Sequence, residues 1–246
     1  MERALMAAVM LWLAGATPGA AGAWLRETGR AFVSLSYEVT TPRAALSQEA
    51  LAYDSTPPLY RYTSVWAEYG LTDWLTLGLD AGRDEGPDTW TGVIFARLPL
   101  MAEGRFGLMA AELGIGQRRY IAAGPYDLYD SHDTEQILRL GLSWGKAFAW
   151  PRQGGWLAMD TQTDFRQTTD GQPRKLDLTF GLRGSETITG ILQLQTGDYP
   201  RSRAYAKLLT SVVYDLPWGL ALETGALFGL REDNRVGMKT SLWWRF

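Results

Sequence analysis

From Ala31 onward, apolar and polar residues alternate with a period of two in one segment after another, with polar interruptions between them. Period two is the spacing of side chains that point to alternate faces of a β-strand. In the first segment Ala31, Val33, Leu35, Tyr37 and Val39 share one face, and Phe32, Ser34, Ser36 and Glu38 share the other. The next, over 60–71, sets Val65, Ala67 and Tyr69 against Ser64, Trp66, Glu68 and Gly70. A connection at 71–73 leads to Leu75, Leu77, Leu79 and Ala81, which oppose Trp74, Thr76, Gly78 and Asp80. Gly70 and Trp74 then fall on the same polar face, so a three-residue turn keeps that face aligned across the hairpin.

The pattern continues to the end. The segment at 90–99 places Phe95 and Arg97 on the polar face, and 106–116 places Glu112 there, opposite Met109, Ala111, Leu113 and Ile115. Over 136–145, Leu138, Leu140, Leu142 and Trp144 oppose Arg139, Gly141 and Ser143. Asp160, Gln162, Asp164 and Arg166 share a face in 156–166, against Leu157, Met159 and Phe165. Lys175, Asp177, Thr179, Gly181 and Arg183 alternate with Leu176, Leu178, Phe180 and Leu182. Gln193 and Gln195, then Lys207, Ser211 and Asp215, then Glu223 and Gly225, occupy the polar face of the next three segments. Counting the last stretch, about twelve strands are predicted, an even number as in single-chain bacterial membrane barrels.

Connections fall into two sets. Those at 71–73, 101–104, 184–188 and 217–219 are short, with 147–154 somewhat longer, whereas 41–58 and 117–133 are long. Short turns at one end and long loops at the other are the pattern of an up-and-down barrel with periplasmic turns, external loops and both termini in the periplasm. No linker or low-complexity tract interrupts the alternation, so a single domain is expected over 24–246.

One face is almost uniformly Leu, Val, Ala, Met and aromatic, while the other mixes acids, bases, Gly and Gln. A soluble sandwich shows shorter, less regular alternation. The predicted fold class is therefore an all-β transmembrane antiparallel barrel, apolar face to lipid and polar face to the lumen. Composition agrees: 46% of residues are hydrophobic, yet mean hydropathy is slightly negative. Beyond the N-terminal stretch no apolar run approaches the roughly 18 residues of a membrane-spanning helix. The 11 Trp and 11 Tyr suit interfacial girdles.

The absence of Cys excludes a thiolate nucleophile, a disulfide scaffold and a lipidated N-terminal Cys. A net charge of -3 gives no case for nucleic acid. At the N-terminus Arg3 precedes the apolar run 4–16, followed by small and helix-breaking residues ending in Ala21-Gly22-Ala23. That is the layout of a secretory leader over 1–23, cleaved before Trp24.

In the final stretch Phe246, Trp244, Leu242, Thr240 and Met238 share one face, and Arg245, Trp243, Ser241 and Lys239 the other. A closing strand of this kind, ending on a free aromatic residue, resembles that of Gram-negative outer-membrane β-barrel proteins of the small porin-like class. The resemblance implies Sec-dependent export to the outer membrane of a Gram-negative bacterium, with lipid and lipopolysaccharide around the barrel. It also implies that Leu242, Trp244 and Phe246 act as the signal read by the barrel-assembly machinery.

Barrel enzymes leave recognisable residues. Lipase-like and lipid A deacylase barrels need a His on a strand, and the one His here, His132, falls in the predicted external loop. An aspartyl-protease reading could enlist Asp160 and Asp164, but neighbouring bases make ion pairing the simpler role. In the loop 126–133, three acids and His132 could hold calcium, although their spacing matches no established calcium loop. Neither a catalytic residue nor a metal or other cofactor is expected.

The candidate site is the lumen. Its acids are Glu38, Glu68, Asp80, Glu112, Asp160, Asp164, Asp177, Asp215 and Glu223, and its bases are Arg30, Arg97, Arg139, Arg166, Lys175, Arg183, Lys207, Lys239 and Arg245. The signs nearly balance, which departs from the excess of inward bases in narrow sugar-acid porins, similar to this chain in size alone. Inward Trp66, Trp74, Phe95 and Trp243 could pack or form a slide for sugar rings. Two functions follow. One is a narrow passive pore for small polar solutes or saccharides. The other is a closed structural barrel whose loops 41–58 and 117–133 engage surface polysaccharide or another envelope component.

Overall fold

The computed structural model describes residues 22–47, 56–86, 88–122, 131–150, 153–167, 171–199 and 203–246. Twelve strands run β1 (Ala31–Pro42), β2 (Tyr60–Thr72), β3 (Leu75–Asp84), β4 (Thr89–Gly104), β5 (Gly107–Ala122) and β6 (Ser131–Trp150), then β7 (Gln153–Arg166), β8 (Arg174–Arg183), β9 (Ile188–Asp198), β10 (Tyr205–Asp215), β11 (Leu220–Arg231) and β12 (Arg235–Arg245). Each strand pairs antiparallel with its neighbours in sequence, and β1 pairs with β12, closing the sheet into a barrel. Closure extends to the last residue: the Ala31 amide donates to the Phe246 carbonyl at 2.7 Å, and the Phe246 amide donates to the Ala31 carbonyl at 3.1 Å. No open edge remains among the described strands, as a backbone in lipid requires.

The alternation predicts the faces correctly. Leu35, Leu77, Ile94, Leu113, Ile115, Leu138, Leu140, Leu192, Leu222 and Leu242 point outward and are exposed. Ser34, Ser36, Thr76, Arg97, Glu112, Arg139, Thr179, Ser211, Glu223 and Ser241 point inward and are buried. This inverted distribution, grease outside and charge inside, is stable only where the outer surface meets lipid.

Turns at the end that carries both termini are short, but several differ from expectation. The β2–β3 hairpin turns at residues 73–74, because a bulge between Gly70 and Thr72 absorbs the extra residue and pairs Gly70 with Thr76. Trp74 therefore stands in the turn, 59% exposed, and does not face the lumen as its parity suggested. β4 continues through Gly104 and β6 through Trp150, so the turns expected at 101–104 and 147–154 are shorter than their sequences imply. The turn at Pro217–Gly219 lies where expected; Trp218 and Gly219 there both take positive φ, at 61° and 75°.

At the opposite end the β5/β6 hairpin is the largest departure. β5 is 16 residues long and β6 is 20, against the roughly 9–11 needed to cross a bilayer. The hairpin thus projects past the apolar belt: its strands take up 117–122 and 131–133 of the loop expected over 117–133, and 123–130 lie outside the described residues. His132, expected in a loop, is on β6 opposite Ile121. Beyond the bilayer both faces of a ladder meet water, so apolar alternation disappears there while the backbone pairing persists.

The terminal half of the lumen is filled. Phe32, Val213, Ala221 and Trp243 form an apolar layer, with Trp66 and Ile191 packed on it. Phe32 and Trp243 meet edge to face at 5.7 Å, and Trp66 lies 5.0 Å from Phe95. The inward aromatics of this layer thus pack on one another.

Candidate functional site

Residues 22–30 precede β1 and fold into the barrel from the terminal end. The Gly70 amide donates to the Arg30 carbonyl and the Gly29 amide to the Gly70 carbonyl, at 2.9 and 2.8 Å. Deeper in, the Arg26 amide donates to Thr76 Oγ1 at 2.8 Å and Arg26 Nε to Glu68 Oε2 at 2.6 Å. Its guanidinium also lies 4.7 Å from the centre of the Phe32 ring. Thr28 donates to Asp73 in the β2–β3 turn. The wall is hollowed to receive the segment: a Cβ on Gly70 would strike the Glu27 and Arg26 carbonyls, and one on Gly145 would strike the Trp24 ring. Ala23 is completely buried.

Above this stopper is a cavity of about 660 Å³. Its floor includes Gly22, Phe32, Trp66, Trp156 and Trp243, and its walls include Glu38, Tyr62, Asp80, Arg139, Asp164, Lys175, Tyr205 and Lys207. Tyr60, Arg61, Asp84, Arg174, Tyr199, Asp233 and Arg235, at strand ends on the loop side, mark its mouth. The described residues therefore enclose a polar cup, closed toward the termini and lined up to the loop-side strand ends.

Charge pairing organises its wall. Arg97 donates to both Glu68 and Glu112, the second at 2.9 Å, and all three side chains are almost fully buried. Arg139 bonds Asp164 on the adjacent strand at 2.7 Å and reaches across two strands to Asp80 at 2.5 Å. Lys175 pairs with Asp177 at 2.8 Å and Lys239 with Glu223 at 3.1 Å. Ser211 also donates to Glu223, at 2.8 Å. Lys207 comes within 4.0 Å of Glu38 across two intervening strands. Arg118 pairs with Glu135, and Arg166 approaches the same carboxylate at 3.9 Å.

All the predicted lumen charges except Glu68, Arg183, Asp215, Arg30 and Arg245 line the cavity. Glu68 faces inward but is covered by Arg26. Asp215 and Arg245 pair with each other at 3.0 Å at the terminal rim, where β10 and β12 end. Arg183 ends β8 at the same rim, and Arg30 is exposed there. Asp160 and Asp164, the acids an aspartyl protease would need, are separately engaged: Asp164 by Arg139, Asp160 by the Ser143 hydroxyl. The calcium-loop reading of 126–133 rests mostly on residues outside those described; Asp133 sits on β6, near Tyr120.

Sequence reasoning missed Tyr62, Tyr205, Arg118, Glu135 and Arg26. Tyr62 shares the parity of Ser64 and Trp66 and was findable by extending that strand. Arg118 and Glu135 lie where the alternation fades toward the projecting hairpin. Arg26 belongs to a segment with no period at all. On the loop-side rim Asp88, between β3 and β4, has its carboxyl held below the ordinary range by the hydrogen bond from Arg83, with Arg119 also close.

A closed antiparallel barrel of twelve strands with an apolar belt and a charged lumen defines the class of outer-membrane β-barrels. Comparison with known proteins narrows this no further than fold. No family model matches the chain, and no curated protein matches its sequence. Among solved structures it is similar to an outer membrane channel from Pseudomonas putida, with a TM-score of 0.57 at 12% identity, covering 94% of this chain and 100% of that one. It is similar also to the KdgM porin, with a TM-score of 0.54 at 8% identity over 87% of this chain and 99% of that one. The translocator domain of the autotransporter NalP from Neisseria meningitidis gives 0.50 at 12% identity, covering 90% of each.

Proposed function

We propose that this chain is an outer-membrane barrel that acts as a narrow, internally stoppered pore for small polar solutes or saccharides. It is exported behind a leader removed after Ala23, with both termini and the short turns in the periplasm. The observation that carries the reading is the polar cup of about 660 Å³, whose lining reaches the loop-side strand ends and whose floor includes a segment outside the hydrogen-bonded wall. A barrel stabilised by its lumen alone would need no cavity of that size, which is comparable to small-ligand sites. Two of the fold relatives are named as a porin and a channel, which supports the reading. Near-balanced wall charges favour neutral or zwitterionic solutes over a single sign of ion. The ion pair of Asp164 with Arg139 argues against an aspartyl-protease role for Asp160 and Asp164.

Passage then requires residues 24–30 to shift. Liposome swelling with a neutral monosaccharide tests this: vesicles carrying a barrel that lacks residues 24–28 should swell several-fold faster than those carrying the whole mature chain. Failure of both to admit solute would overturn the pore and favour the second reading, a binding barrel whose loops meet envelope polysaccharide. That reading has the stopper itself in its favour.

A further inference from the structure

Asp160 on β7 and Asp177 on β8 are direct cross-strand partners on the inner face. Like charges placed opposite each other destabilise a sheet. Lys175 ion-pairs with Asp177, while Asp160 has the neutral Ser143 hydroxyl and only the more distant charges of Arg97 and Lys175, so among the described residues the two carboxylates have one direct ion pair between them. Each keeps an Oδ1 that is shut off from solvent and has no hydrogen-bond partner among the described residues. An oxygen buried in that state costs free energy, which a further donor would recover. The pair is built for one more positive group.

The chain brings its own candidate. Gly22 packs directly against Asp160 Oδ1 and the Ser143 hydroxyl, so closely that a Cβ there would overlap both. Two residues later the Trp24 ring covers Gly145, and Arg26 is fastened to Thr76 and Glu68. The Cα atoms of Gly22 and Trp24 are separated by at most about 7 Å, the reach of two residues. Removal of the leader adds water across the Ala23–Trp24 peptide bond, leaving a carboxylate on the departing Ala23 and an ammonium on Trp24. It also clears Gly22 and Ala23 from the space beside Asp160.

We propose that Asp160 and Asp177 form a docking site for a primary ammonium, and that its ligand is the α-ammonium of Trp24 created by leader removal. The neutral Gly22 backbone occupies the position only in the uncleaved chain. Cleavage thus supplies three donors where the precursor has none, and locks the stopper after export is complete. Arg26 and Thr28 hold the rest of the segment, so the new terminus cannot swing out of reach.

This rests on the leader reading, and the test separates the two. The intact mass of the protein purified from outer membranes reports its first residue; a start other than Trp24 overturns the proposal through its premise. With Trp24 confirmed, the folded barrel in detergent is treated with an amine-acetylating succinimidyl ester near pH 8, about the ordinary α-amino pKa, and acetylation of the N-terminal peptide is followed by mass spectrometry. A docked ammonium should react at least about fivefold more slowly than the same terminus after heat unfolding, the effect at that pH of a pKa raised by about one unit. In Asp160→Asn, and separately in Asp177→Asn, each checked for the compact folded form on an unheated gel, that protection should largely vanish. Protection that survives both substitutions would reflect burial alone and overturn the docking site. Rapid acetylation of the folded wild-type protein would overturn it without any variant.

Discussion

Arg97 shows what a single side chain does in this lumen. It satisfies Glu68 from β2 and Glu112 from β5 at once, and Glu68 in turn holds Arg26 of the stopper. Removing this buried base leaves Glu112 without its ion-pair partner and Glu68 with Arg26 alone, a loss of about 3–5 kcal/mol for a broken buried pair. Arg97→Met should lower the unfolding free energy of the barrel in detergent by about that amount, read from a urea titration, with Glu112→Gln in the same background recovering part of it. Gly145 makes the complementary point about space. Gly145→Leu should expel the Trp24 ring, read as faster protease cleavage within residues 24–30, while the strands stay protected. The parity of Arg97 is plain in the sequence. That Gly145 is small for the sake of a residue more than a hundred positions earlier is invisible there, because the partner is set by the closed topology.

At the scale of elements, strands that cross the bilayer were readable because lipid on one side and water on the other impose period two on the side chains. Where that asymmetry ends the signal ends: the described residues of Gln117 to Asp133 are strand, yet the stretch reads as loop because it is polar without a clean alternation. The segment 24–30 was unreadable for another reason. Trp24, Leu25, Arg26 and Glu27 have no period, and their place is fixed by Glu68, Thr76 and two distant glycines. The closing strand was both readable and informative. Leu242, Trp244 and Phe246 face outward, about half exposed, with Trp244 and Phe246 rings 4.2 Å apart. Those side chains contribute nothing to the lumen. Phe246→Ala is therefore predicted to reduce the amount of assembled barrel in cells severalfold, counted as the heat-modifiable form. Refolding of the purified chain into detergent should proceed nearly as before. An equal loss in both settings would make Phe246 a folding residue and remove its role as a recognition signal.

For the whole molecule, the two functions open in the sequence differ in whether the lumen conducts. The structure meets them halfway. Charges pair as a structural barrel would have them, yet they leave a polar cup, and what closes the cup is a short segment, held by a few side-chain and backbone bonds, together with the wall side chains Phe32, Trp66 and Trp243. On the pore reading, opening needs the loss of those bonds and a shift of the floor side chains, with no rearrangement of the ladder. Single-channel recording in planar bilayers tests that claim most directly, comparing the mature barrel with one lacking residues 24–28. The stoppered-pore account predicts small or rare conductance steps for the mature barrel, and larger, long-lived steps for the shortened one, with current scaling with salt. Equal conductance from both, or silence from both, would contradict it.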